Sequence, residues 1–571
     1  MSRGQPLLGL HPLVSPAGAF VRAAAVMICA LSVACESCDG EPAPAPSVGA
    51  AVKAVVAPEG HVADIWLPEP KAFWKRARPL FGELPLPQSI ELVFAQSGGL
   101  PVAVAGSFAS EAPLIAAAFY TDHFFVVSAF PLTSPHDLIS RLTSGGKPTH
   151  RAKALGEVTE LAPLASGSSR SLYVRGRYLV SSEEPEDARF AARYLTSGLA
   201  LRPVPASTGA VFRLPGRALA GPVRRMLDEA WRSAQGVLTE AERNERARHA
   251  GRAADFGDPA AALAGLGRGV TAVQGVLEST KELDLVLEPG GDRVFIDARL
   301  TPEKTGVLSE LLADSATGST ASLLEASRAG TALALLRSTR SGREQTGKEI
   351  ASQLRALFGD RLDASAAALI ERTLSHFALG RGDELSLALE VAPAPALVVR
   401  CPVADRERLD AAVDGLLEML RVPALVAPAS ALVGPIETRP ARRLADGGSV
   451  LMNVGPPAER RRLKLEWKYE RARFELRVGL ELAPAPARDR EAPGDQAGLR
   501  DALRRHSPAE AVLAFRLARA AGQGDAGNGA TWALLSLGES GAQGVVRAEA
   551  PAELLLSVGR HWLVPATGKR P

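Results

Sequence analysis

Charge of one sign, cysteine and aromatic side chains are all scarce in this chain. Lysine and arginine number 66 against 63 aspartate and glutamate, a formal net charge of +3 over 571 residues. So small a surplus gives no footprint for nucleic acid or an acidic partner, and no nucleic acid is expected. Four cysteines cannot staple a chain of this length, so stability must come from buried apolar area. Aromatic residues make up 5% and fall at core-like positions, which leaves no stacking platform for carbohydrate. The nine histidines are dispersed, without His-Glu-x-x-His or His-x-x-Glu-His spacing and without a helping cysteine pair. No metal site and no cofactor is expected from them.

What is present begins at the N-terminus. Arg22 precedes the apolar run Ala23–Ala34, which ends in small residues before Cys35. The run is about 12 residues, short of the roughly 20 that span a bilayer, and has the build of a secretory signal. The leader ahead of it, residues 1–22, is long for a signal, so translation is expected to start downstream of Met1. Leu31-Ser32-Val33-Ala34-Cys35 resembles the lipobox of bacterial lipoproteins, with Ser32 departing from the usual aliphatic residue. The resemblance implies that the signal, residues 1–34, is removed, that Cys35 is diacylated, and that the chain meets the membrane through this N-terminal lipid. Glu36 stands where enteric lipoproteins kept at the inner membrane have Asp, so the outer membrane is expected. Residues 35–60 are rich in proline and alanine and read as an extended tether. Cys29 lies in the signal, Cys38 in the tether, and Cys401 continues the alternation of Leu397 and Val399 as a small core residue.

The body reads as α+β, with degenerate β-hairpin–helix units forming mainly antiparallel sheets covered by helices. Lys281–Ala313 is the clearest unit. Leu283, Leu285 and Leu287 alternate with polar neighbours, Pro289-Gly290-Gly291-Asp292 makes a turn, and a second alternating run reaches Pro302. Val307, Leu308, Leu311 and Leu312 then recur at helical spacing. Looser versions divide the body into units at 61–206, 207–328 and 329–506 and a partial unit at 507–571. Within the first, a helix is expected over Pro70–Phe81, strands at Ile90–Ala95 and Pro101–Phe108, and a hairpin over Leu114–Phe130. A Pro/Ala-rich linker is expected over Val422–Arg439, and a strong hairpin over Leu463–Leu482. The pattern is similar only to that of exported bacterial proteins of unknown function, and the likeness carries no site.

Two stretches imitate catalytic motifs. Gly342–Glu349 has the spacing of a phosphate-binding loop, but Glu349 stands where the magnesium-binding hydroxyl belongs and would repel phosphate. It is expected to be a strand-to-helix turn. Ser144-Gly145-Gly146-Lys147 and Lys304-Thr305-Gly306 look like the paired motifs of penicillin-binding proteins. Gly145, Gly146 and Pro148 break the helix the first needs, and Lys304-Thr305-Gly306 is expected in the first turn of a helix instead of on a strand. No catalytic residue is assigned. The expectation is a membrane-anchored cell-envelope lipoprotein with a binding or scaffolding role and an envelope protein as partner. A periplasmic carrier of lipid or another apolar ligand is the first alternative. An envelope hydrolase whose site is assembled from distant residues is the second.

Overall fold

The computed structural model describes residues 55–81, 86–144, 148–164, 172–248, 259–326, 330–358, 362–390, 395–433, 435–457, 460–481, 493–517 and 531–551. The signal, Cys35, most of the tether and residues 552–571 of the expected partial unit lie outside them. The described chain is α+β, and its strands pair antiparallel. It forms two compact units. Unit 1 comprises 1–234, 280–301 and 550–571, and unit 2 comprises 235–279 and 302–549.

In chain order the elements start with β1 (His61–Leu67), α1 (Pro70–Ala77), α2 (Ile90–Ser97), β2 (Leu114–Tyr120), β3 (Phe124–Pro131) and α3 (Pro135–Thr143). Next come β4 (His150–Leu155), β5 (Val158–Pro163), β6 (Leu172–Arg175), β7 (Tyr178–Ser181), α4 (Pro185–Ser197) and β8 (Ala210–Pro215). The helices α5 (Arg224–Arg248) and α6 (Pro259–Glu278) lead to β9 (Thr280–Gly290) and β10 (Arg293–Pro302). The sheet of unit 1 runs β10-β9-β8-β1-β2-β3-β7-β6-β5-β4. The boundary expected at 206/207 is therefore crossed by the sheet, because β8 pairs with β1.

The chain continues with α7 (Val307–Ala313), α8 (Ser322–Ala326), β11 (Gly330–Arg337), α9 (Arg340–Phe358), α10 (Ala364–Gly380), β12 (Glu384–Glu390) and β13 (Ala396–Pro402). It goes on through α11 (Arg406–Met419), α12 (Pro423–Val433), β14 (Ile436–Thr438), β15 (Arg442–Leu444), β16 (Gly447–Val454), β17 (Arg461–Glu470) and β18 (Arg473–Leu480). Last come α13 (Pro493–Arg505), β19 (Ala511–Leu517), β20 (Thr531–Ser540) and β21 (Gln543–Pro551). The sheet of unit 2 runs β21-β20-β19-β11-β12-β13-β18-β17-β16, with β14 and β15 both on the far edge of β16. The residues expected as a partial unit, 507–571, thus supply strands to a sheet begun at β11.

Apart from β14 and β15, which together stand where unit 1 has β4, this is one topology used twice, and the registers agree. A register shift interrupts β1 between His61 and Ala63, and β11 between Gly330 and Ala332. Trp66 opposes Val211, and Leu335 opposes Val512. Pro131 and Pro402 end the third strands. Ser134 and Asp405, three residues later, cap the helices that follow by accepting from the N–H groups of Asp137 and Arg408. The turn after β6 bends at Gly176 (φ 56°), and its counterpart after β17 bends at Arg471 (φ 57°). The turns at Gly291 (φ 64°) and Gly541 (φ 65°) match in the same way.

One face of each sheet lies under a helix. In unit 1, Trp66, Ile115, Ala117, Val127, Val180 and Val211 pack with Ala188, Ala191, Tyr194 and Leu195 of α4. In unit 2, Leu333, Leu335, Ala388, Val398, Val512 and Leu534 pack with Leu499, Ala502 and Leu503 of α13. The opposite faces differ. Ile65, Leu67, Ala116, Phe212 and Leu214 of unit 1 are buried, as are Phe73 and Trp74 of α1 and Ile90, Val93 and Phe94 of α2. The matching side of unit 2 is buried at Cys401 and Phe474 but half exposed along the rest of these strands. Leu336, Leu389, Leu397, Leu513, Phe515, Leu535 and Leu537 are each 37–48% exposed, Phe515 the most. They share a face because Phe515 opposes Ala332, Ala332 opposes Leu389, and Leu389 opposes Leu397.

Several local expectations change. Ile90–Ala95 is helix, since Ile90, Val93 and Phe94 follow the helical stripe and all are buried. Pro101–Phe108 holds a 3-10 turn at Val102–Ser107, closed by the Phe108 N–H on the Ala105 carbonyl. The linker over Val422–Arg439 contains α12 and β14. Gly342–Glu349 lies wholly inside α9, whose first residue is Arg340; the Gly342 N–H donates to Thr339 Oγ1 and the N–H groups from Arg343 on enter the helix ladder, so they cannot cradle phosphate. Lys304-Thr305-Gly306 forms a bend before α7, with Gly306 at φ 124°, not the first turn of the helix. Ser144 ends α3, and Gly145–Lys147 fall outside the described residues.

Candidate functional site

Three groups of side chains have the chemistry or shape for a site. The first is in unit 1. Asp64, 3% exposed on β1, accepts hydrogen bonds from His61 Nε2 (2.8 Å), the Tyr194 hydroxyl (2.6 Å) and Arg202 Nη1 (2.7 Å). Burial pushes its carboxyl upward, but His61, Tyr194 and Arg202 outweigh that, and its pKa lies below the ordinary value. Burial beside this carboxylate drives the Tyr194 hydroxyl far up. The group joins β1 to α4 and the segment after it. It is a clamp across the core, with its carboxylate fully engaged.

The second, in unit 2, gathers the residue types of a hydrolytic triad. His506 Nδ1 lies 2.7 Å from Ser536 Oγ, and its Nε2 lies 3.7 Å from Glu549. The trio is sealed, with His506, Ser536 and Glu549 exposed by 2%, 4% and 1%. Glu549 is held in a fork by Arg505 at 2.6 and 3.0 Å. A nucleophile must meet its substrate, and its base must be free to carry the proton. Here the serine faces the packed layer of Leu534 and Trp532. The arrangement satisfies buried polar groups at the end of α13. Among the described residues, no group of three or more His, Cys, Asp or Glu is close enough to hold a metal ion.

The motif-like residues of α9 are structural too. Arg343, buried, donates to the carbonyls of Ala378 (3.1 Å) and Ser338 (3.0 Å) and pairs with Asp383. Burial, aided by the Arg343 charge, lowers Arg381 to about 10. Cys401 is buried, as its place in the alternation implied, and its thiol is pushed up to about 12 by that burial. It is an unreactive core residue.

The third group is a cavity of about 240 Å³ in unit 2. Leu354 of α9, Ile370 of α10, Met419 and Leu420 at the end of α11, and Leu425 and Val426 of α12 line one side. Ile436 of β14, Met452 and Val454 of β16, and Leu463 of β17 line the other. Every lining side chain among the described residues is apolar, so a charged or strongly polar ligand group would go uncompensated there. The cavity arises where unit 2 outgrows unit 1. From matching caps, α11 runs 14 residues and α3 only 9, and β17 has 10 residues where β6 has 4. The helices α9 and α10 have 19 and 17 residues, against 8 each in α1 and α2. The shorter layer of unit 1 is filled by Phe94, Phe108 and Phe130, with ring centroids 5.3–6.2 Å apart.

Reasoning from sequence missed these lining residues. A usable signal was there: α12, Pro423-Ala-Leu-Val-Ala-Pro428-Ala-Ser-Ala-Leu-Val433, is without charge and nearly all apolar, and its Leu425 and Val426 turn to the cavity. Among the described residues no helix is long and apolar enough to cross a membrane. No known protein family, no curated protein and no solved structure matches this chain.

Proposed function

We propose that the chain is a cell-envelope lipoprotein, anchored through a lipid on Cys35 at the outer membrane, whose body binds an apolar ligand. The observation that carries the binding role is the wholly apolar cavity of unit 2. The anchor is supported by Leu31–Cys35 and the tether behind it. Each unit is read as a run of degenerate hairpin–helix units within the larger duplicated module. Replacing Cys35 by Ala is expected to move the protein from the membrane fraction to the soluble fraction; an unchanged membrane fraction would sink the anchor. Native mass spectrometry of the purified chain is expected to reveal a co-purified apolar compound. A second reading, a scaffold with an envelope protein as partner, has the open sheet face around Phe515 in its favour. Photo-crosslinking from position 515 in intact envelopes tests it, and the absence of any cross-linked protein counts against it.

A further inference from the structure

The size and lining of the unit 2 cavity say more than that it is apolar. We infer that it takes the end of one unbranched alkyl chain, such as a fatty acyl tail, with the polar head left outside. This rests on the binding role proposed above and names its ligand.

Volume sets the first bound. A dry apolar cavity of roughly 150 Å³ accepts benzene, with six carbons. By proportion, about 240 Å³ holds about eight to ten carbons. Sites for drug-sized molecules run from roughly 300 to 1,000 Å³, so a sterol or a two-chain lipid does not fit whole. Lining sets the second bound. Among the described residues no charged or hydroxyl side chain lines it to meet a carboxylate, phosphate or sugar, and burying such a head would carry its full desolvation penalty. The wall sets the third. Met419 and Met452 face the space, and methionine adapts its shape to a flexible guest better than branched side chains do. Unit 1, built on the same topology, lacks the extended elements that enclose this space. The cavity therefore belongs to the added length of unit 2 and is not required by the architecture.

The test is a chain-length series, from hexanoate to hexadecanoate, titrated calorimetrically into the full chain carrying Cys35→Ala so that no detergent competes. Each added methylene should tighten binding about fourfold until about ten carbons, after which affinity should level off. Cholate, a rigid steroid acid, should not bind. Val454→Phe fills the cavity from β16 and should weaken decanoate at least tenfold. Leu420→Trp does so from a half-buried position, where misfolding is a smaller hazard; thermal melting establishes that each variant is folded. Affinity that climbs without a break to sixteen carbons, cholate binding as tight as decanoate, or folded filling variants that keep parental affinity would overturn the inference and leave the binding role standing. If neither an alkanoate nor naphthalene binds, the binding role falls with it. Mass spectrometry of the chain extracted from its own membranes separates the sources: a free fatty acid and the tail of a one-chain lipid both support the inference, and a sterol-sized or two-chain ligand refutes it.

Discussion

Arg471 allows a sharp test of the duplicated architecture. It opens the turn between β17 and β18 at φ 57°, and it is the only described residue other than glycine with a positive φ. The same turn in unit 1 has Gly176 at φ 56°. For an L-residue with a side chain this backbone costs roughly 1–2 kcal/mol. Glycine removes that cost but gives back about 0.5–1 kcal/mol through the freer unfolded chain. Arg471 is exposed, so the loss of its charge counts for little. Arg471→Gly should therefore stabilise unit 2 by about 0.5–1 kcal/mol, raising its melting temperature by about 1–3 °C. The reciprocal change isolates the backbone effect. A Cβ on Gly176 would meet nothing within 4 Å, so Gly176→Ala should cost unit 1 about 1 kcal/mol from conformation alone. Scanning calorimetry of the purified chain reads both. An Arg471→Gly chain that melts below the parent, or a Gly176→Ala chain that melts no lower, would refute the assignment of these turns.

Two further outcomes follow from the buried polar groups. Asp64→Asn leaves the Arg202 charge and the His61 ring without their carboxylate and should destabilise unit 1 by about 2–4 kcal/mol at pH 7, read from urea midpoints. Because the Asp64 pKa is lowered on folding from 3.8, its contribution is present above that value and is lost as pH falls through the lower, folded one. The gap between parent and variant should close on acidification below about pH 4, and a gap that stays constant would contradict the assignment. Ser536→Ala should cost unit 2 about 1–2 kcal/mol by leaving His506 Nδ1 unpartnered. Neither parent nor variant should hydrolyse 4-nitrophenyl acetate; turnover that the substitution abolishes would restore a catalytic role for the trio.

Hairpins were the legible part of this fold. Leu463–Leu480 alternates cleanly because Leu465, Trp467, Tyr469 and Phe474 are buried while the other strand face is charged, and Leu283–Leu300 alternates in sequence although both faces of β9 are half-buried. The central strand of unit 1 was not legible. All of His61–Leu67 is buried, so its two faces show no contrast, and Asp64 interrupts the apolar run for the sake of a clamp built by distant residues. Nor did alternation tell that β8 belongs beside β1, since that pairing depends on what lies between them. The duplication was visible only as looser versions of the Lys281–Ala313 pattern. Equivalent positions keep register but change chemistry, with Asp64 in one unit where the other has Leu333. The cavity was hidden for a related reason: Pro423 and Pro428 made α12 look like a linker, although Pro423 opens the helix, where proline is tolerated, and the helix continues past Pro428 to Val433.

The position of β1 and β11 has a consequence for how the chain is assembled. Each is the first strand of its unit to be synthesised, and each needs a late strand to complete it: β8 for one, β19 for the other. Until that strand arrives, a central edge stands open with its N–H and C=O groups unpaired. The chain carries two strands able to close such an edge, Ala210-Val211 and Ala511-Val512 in matching register. An emerging unit 1 that has not closed before β19 appears can capture the wrong one, and two chains at the same stage can trade them. Correct assembly then depends on order in time: slow arrival of unit 2, or a partner that shields the open edge of β1, protects the yield as surely as any contact in the finished fold.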